Sequence, residues 1–203
     1  MKDKFTFRDF IVYFFSGFVV LLYVAINWHD PLLNYIKTNG ISFKDSTALI
    51  ILLLSFIGYF VGHCLHSLDT SLYFLCTKLR KVKTTDRLKK LLTKALLVVI
   101  GGHRVSLHLA LKSGDENSFW KECAKLQLNN TYAYSEYWYV MNDLFKGLTL
   151  ASMIFILISA IQGYWVLSVI YLILSLLFWL RAYYFALWFI RSVERAILVS
   201  EAD

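Results

Sequence analysis

The chain has 203 residues and a formal net charge of +7. Hydrophobic residues make up 58% and charged residues only 17%, with a mean hydropathy of +0.56. That balance departs from the composition of a soluble domain and points to the membrane class.

The first apolar run is Phe10 to Trp28. At about 1.5 Å per residue it is about 28 Å long, close to the thickness of a bilayer core. No small-residue cleavage pattern follows it, so it reads as a retained first span and not as a cleaved leader. Residues 29–46 read as a short polar connection with the chain's only proline, Pro31, and a turn at Asn39-Gly40. The second run spans Thr47 to Leu65. It carries Gly58 and Gly62 four residues apart, and His63, His66 and Asp69 follow at steps of three across its end.

Residues 67–147 are more polar and hold thirteen of the 21 Lys and Arg. Their pattern is helical. Thr85-Asp86 opens a helix with Leu88, Leu91, Leu92, Ala95, Leu96 and Val99 at three-and-four spacing, and Gly101-Gly102 ends it. Val105 to Lys112 is a further short piece. Glu116 to Leu128 carries Phe119, Trp120, Cys123 and Leu126 on its apolar side, and Tyr132 to Phe145 leads into a third run, Leu148 to Gln162. The fourth run, Tyr164 to Ile190, is long enough to leave the bilayer near Arg181 and continue as a helix. Arg181 then either snorkels to the headgroups or faces a water-filled path between copies of the chain.

The expected fold class is an all-α membrane protein: four transmembrane helices with a helical cytoplasmic insert between the second and third. Its parts are a first transmembrane hairpin (1–66), a basic helical domain (67–147), and a second hairpin with a helical tail (148–203). Basic residues crowd the amino terminus and positions 78–83, whereas 29–46 carry two lysines and no arginine. The positive-inside rule therefore predicts both termini and the central segment on the cytoplasmic side.

Several motifs bear on function. Gly58 and Gly62 form a small-xxx-small pair that lets another helix approach closely, within one subunit or between subunits. His63, His66 and Asp69 wind across one helix face at the inner end of the second span. There they serve hydrogen bonding, a gate or pore mouth with Arg181, or, in another reading, chemistry on lipid or peptide. Lys78, Arg80, Lys81, Lys83, Arg87, Lys89 and Lys90 form a basic collar that suits anionic lipid, a nucleotide or an oligonucleotide. Tyr132, Tyr134, Tyr137, Trp138 and Tyr139 read as an interfacial belt or a stacking platform for a base. Arg104 and His108 have too few residues between them for an Arg-to-His ribonuclease pair. Cys64, Cys76 and Cys123 have no paired spacing and read as packing thiols. No phosphate-binding glycine loop, Ser-His-Asp arrangement or paired carboxylates occur, and no cofactor or metal is expected.

The stretch Gly58-Tyr-Phe-Val-Gly62-His63 followed by Leu65-His66-Ser67-Leu68 resembles a segment of small bacterial membrane proteins encoded with anti-phage defence modules. The Hailong-type membrane effectors and the membrane proteins accompanying type VI-B CRISPR systems are two such groups. The resemblance covers the span layout and this one motif. It implies an oligomeric pore in the bacterial inner membrane, gated by a defence-system partner protein or a nucleotide-type signal, with no catalytic residues. A homo-oligomer of three or more copies is expected, since four spans are too few to enclose a wide conduit. A membrane enzyme and a passive membrane adaptor are the rival readings.

Overall fold

A computed structural model describes residues 10–40, 47–81, 116–128 and 133–200. Every described element is helical. A π-helical turn, Phe10–Phe14, runs into α1 (Phe15–Asn27). Then come α2 (His29–Thr38), α3 (Thr47–Lys81), α4 (Glu116–Leu128), α5 (Ala133–Ile161) and α6 (Trp165–Ser200). Four helical stretches are long and apolar enough to cross a membrane: Phe10–Asn27, Ile50–Leu72, Tyr134–Ile161 and Trp165–Val199. The chain is an all-α membrane-type fold with multi-pass character.

The elements differ from the sequence reading in extent. The connection after the first run holds a helix of its own, α2, because Asp30 and Pro31 suit a first turn and no breaker follows before Asn39-Gly40. The third run is not a short span standing alone. Helix α5 is unbroken for 29 residues, since its polar residues Asn142 and Asp143 are buried against protein and do not end it. Helix α6 continues past Arg181 to Ser200, as its length requires. The helices expected at Thr85–Val99 and Val105–Lys112, together with Arg104 and His108, lie outside the described residues.

Close contacts divide the chain into two compact units, Met1–Leu68 with Gly147–Ser175, and Asp69–Lys146 with Leu176–Asp203. In the first unit α1 crosses α3 at glycines. A Cβ on Gly17 would strike the carbonyl of Gly58 and come within 2.7 Å of the Gly62 nitrogen, and one on Gly62 would lie 2.6 Å from the Tyr13 carbonyl carbon. Only hydrogen fits at these positions. The α5–α6 turn belongs to the same unit and closes on Gly163 at φ +80°. Tyr164 N–H bonds to the Ser159 carbonyl at 2.8 Å and Gly163 N–H to that of Ala160 at 3.1 Å, a Schellman ending that a left-handed glycine makes possible.

The second unit is built on a different principle. Phe119, Cys123 and Leu126 of α4 pack with Phe189, Ile190 and Val193 of α6, with Trp120, Trp138 and Tyr139 against them. The spacing of those three residues puts them on one side of α4, and the spacing of their partners does the same for α6. The insert helix read at Glu116–Leu128 is thus docked on the terminal half of α6.

Candidate functional site

The functional residues expected around the inner end of the second span fall into two places. In the first unit, the His63 ring stacks on Tyr13, with centroids 3.7 Å apart and planes 23° from parallel. Tyr59 meets the same imidazole edge-on at 4.6 Å, one helical turn earlier on α3. His66 meets Tyr13 edge-on at 5.2 Å. Its ring lies over Gly147 of α5, where a Cβ would sit 2.7 Å from Nε2. Ser16 stands beside the same glycine and donates to the Val12 carbonyl at 2.6 Å. Two imidazoles three residues apart thus meet the π-helical turn before α1 through one tyrosine and α5 through one glycine.

Asp69 belongs to the second unit. Its Oδ2 accepts from Lys146 Nζ at 2.6 Å, with the carboxylate almost fully buried and the ammonium mostly so. A charge taken this far out of water is tolerated when an opposite charge meets it at hydrogen-bond distance. On α3 the boundary between units falls between His66 and Asp69, and on α5 between Lys146 and Gly147. The histidines and the carboxylate therefore take different partners, in different units. Among the described residues, no group of three or more His, Cys, Asp or Glu is placed to hold a metal ion.

Deeper in the first unit lies a buried polar network. Asn27 Nδ2 donates to the Tyr171 hydroxyl at 2.7 Å and to the Tyr23 carbonyl at 2.9 Å, and Asn27 Oδ1 accepts from Ser159 Oγ at 2.7 Å. The hydroxyls of Tyr23 and Ser152 share a further bond at 3.0 Å. One amide thus ties together α1, α5 and α6, and each of its two donors and its oxygen has a partner. Lipid offers no hydrogen bonds, so such groups turn inward and satisfy one another.

Gly58 and Gly62 pack within the chain, against α1. Gly58 is the looser of the two, since its Cβ position is 3.6 Å from Leu21 Cδ1 and from the Phe18 nitrogen. Arg181 is exposed, and its neighbour Ala182 accepts from Asn142 Nδ2 at 2.6 Å. Lys78, Arg80 and Lys81 lie on α3, whereas Lys83, Arg87, Lys89 and Lys90 lie outside the described residues. Tyr134 and Tyr137 are exposed beside Trp138, and Tyr139 packs into the α4–α6 core.

Sequence reasoning did not single out Tyr13, Gly17, Asn27, Lys146 or Tyr171 as partners. Asn27 was the most visible signal, as an amide at the end of an apolar run. Lys146 was another, as a lysine adjoining a span. Comparison of the chain with protein-family models, characterised proteins and solved structures finds no match.

Proposed function

We propose that this chain is an oligomeric membrane pore or ion channel whose second span, α3, is the gate. One observation carries the reading: the ion pair of Asp69 and Lys146, 2.6 Å apart and largely shielded from water, between α3 and α5, two helices that are each long and apolar enough to span. Packed apolar residues would hold two helices at least as well as a buried ion pair. The pair offers something they lack. Removing one partner leaves an uncompensated charge, at a cost of about 3–5 kcal/mol, so a competing phosphate or carboxylate shifts the balance sharply.

The resemblance of the Gly58–Leu68 stretch to defence-associated membrane proteins supports a place in the bacterial inner membrane, and the distribution of Lys and Arg supports both termini on the cytoplasmic side. It also supports a defence-system protein, nucleotide or oligonucleotide as the trigger. Lys78, Arg80 and Lys81 continue the same helix as Asp69, and their charge suits such an anion. Three or more copies around an axis supply the conduit.

The test is conductance of the purified full chain in planar bilayers, with and without nucleotides and short oligonucleotides, beside the mass of the complex in detergent and nanodiscs. Single-channel steps are expected, with Asp69→Asn raising the open fraction without ligand and Asp69→Asn/Lys146→Met returning it toward the wild-type level. Baseline current under every condition, or a monodisperse monomer in both detergent and nanodiscs, overturns the reading. Baseline current with a bound acidic partner would instead favour an adaptor.

A further inference from the structure

Helix α6 has two unlike sides. Ala182, Ala186, Phe189, Ile190 and Val193 are buried. On the opposite side, at alternating steps of three and four, stand Arg181, Tyr184, Trp188, Arg191 and Arg195. The three arginines and Tyr184 are exposed, and Trp188 is partly so. The Trp188 ring is held in place, stacked on Trp138 with centroids 5.3 Å apart and planes 24° from parallel, and Tyr184 adjoins it at 6.1 Å.

We propose that this basic-aromatic stripe is a docking surface for the phosphate headgroups of anionic phospholipid. Three features of the helix favour lipid as the occupant. Followed toward its start, the same register reads Leu177, Ile173, Ile170 and Val166, all exposed and all apolar. A single helix face thus passes from side chains suited to acyl chains to side chains suited to headgroups. Its aromatic residues Tyr184 and Trp188 stand among the arginines, and such amphipathic rings settle at the headgroup level. Charge is complementary as well: exposed Glu194 beside Arg191 and Arg195 leaves the stripe net positive. Each guanidinium offers a planar fork of donors to phosphate oxygens, while Tyr184 and Trp188 present an apolar body with a polar tip to the same layer. This surface is independent of conduction and stands whether or not the chain forms a pore.

The experiment is native mass spectrometry of the detergent-solubilised full chain, titrated with phosphatidylglycerol and with phosphatidylcholine of identical acyl chains. The wild type is expected to retain phosphatidylglycerol preferentially. Arg181→Gln/Arg191→Gln/Arg195→Gln should lose that preference by an order of magnitude or more, at about fivefold per arginine. The matching Arg→Lys triple should keep most of it. Should the glutamine triple fail to fold, Arg191→Gln and Arg195→Gln singly must each show the fivefold step. The inference is overturned if the glutamine variants keep the preference. It is equally overturned if the preference is lost instead with Lys78→Gln/Arg80→Gln/Lys81→Gln, or if a short oligonucleotide displaces the bound phosphatidylglycerol from the wild type.

Discussion

The two compact units solve the same problem, holding helices together, by different physics. The first relies on backbone contact at Gly17, Gly58 and Gly62 and on a satisfied polar network around Asn27. The second relies on an apolar core of Phe119, Cys123 and Leu126 against Phe189, Ile190 and Val193. Lipid tails are as apolar as leucine, so burying leucine between spanning helices gains little, and close approach with hydrogen bonds must serve instead. Helix α4, at thirteen residues, is not among the described helices long and apolar enough to span, and it is held by side-chain packing of Phe119, Cys123 and Leu126 against α6.

The strongest way to break the contrast is to remove apolar volume from the second unit. Phe119→Ala should destabilise docking of α4 by about 3–5 kcal/mol, as for large-to-small changes in packed cores. Hydrogen exchange should then rise over Glu116–Leu128 and leave α1 protected. Equal loss of protection in α1 would mean that the two units do not fold by separate rules. Next in size is Gly62→Ala, whose new methyl meets the Tyr13 backbone and not a flexible side chain. About 3 kcal/mol is expected, the upper part of the usual range for overpacking. Gly58→Ala has ordinary contact distances and should change the melting temperature little, helped by alanine's better helix propensity. Equal effects at the two glycines would show that the helix crossing lies elsewhere.

The four spans were legible because length and apolarity alone define them. Helix α4 was legible because its amphipathic face follows helical spacing over Glu116–Leu128. The extent of α5 was not, because the sequence cannot show that Asn142 and Asp143 turn toward protein and so do not end the helix. At the candidate site, the positions of Gly62, His63, His66 and Asp69 could be read, but their partners could not. Tyr13 and Gly147 are remote in sequence from the histidines they touch, and nothing local in a tyrosine or a glycine announces an imidazole beside it. Lys146 likewise carries no local sign that its charge is spent on Asp69.

Smaller effects come from the polar network. Asn27→Leu removes three hydrogen bonds and leaves the Tyr171 hydroxyl and Ser159 to find new partners. Hydrogen bonds between spanning helices average about 0.6 kcal/mol each, so about 1–2 kcal/mol is expected in detergent unfolding. Ser152→Ala, which removes one bond to Tyr23, should cost about 0.6 kcal/mol on the same scale. A loss at Asn27 as large as that at Gly62 would place hydrogen bonding, and not backbone contact, as the leading force in the first unit.

The smallest effect near neutral pH, and the sharpest probe of the second unit's core, concerns Cys123. The residue is 2% exposed, and burial pushes its thiol up to about 12, with the Glu122 carboxylate acting in the same direction. The folded state keeps the proton on this sulfur, whereas the unfolded chain releases it near the ordinary thiol value of about 8.5. Stability contributed by the protonated thiol is therefore complete at neutral pH and declines as pH rises from about 8.5 toward 12. In a Cys64→Ala/Cys76→Ala background, iodoacetamide at about pH 8 should modify Cys123 on the order of 10³-fold more slowly than a free thiol, since so little thiolate is present. Phe119→Ala should restore much of that reactivity by opening the same core to water. Fast labelling of Cys123 with Phe119 intact would mean that α4 does not hold its place on α6, and would remove the packed-core half of the contrast.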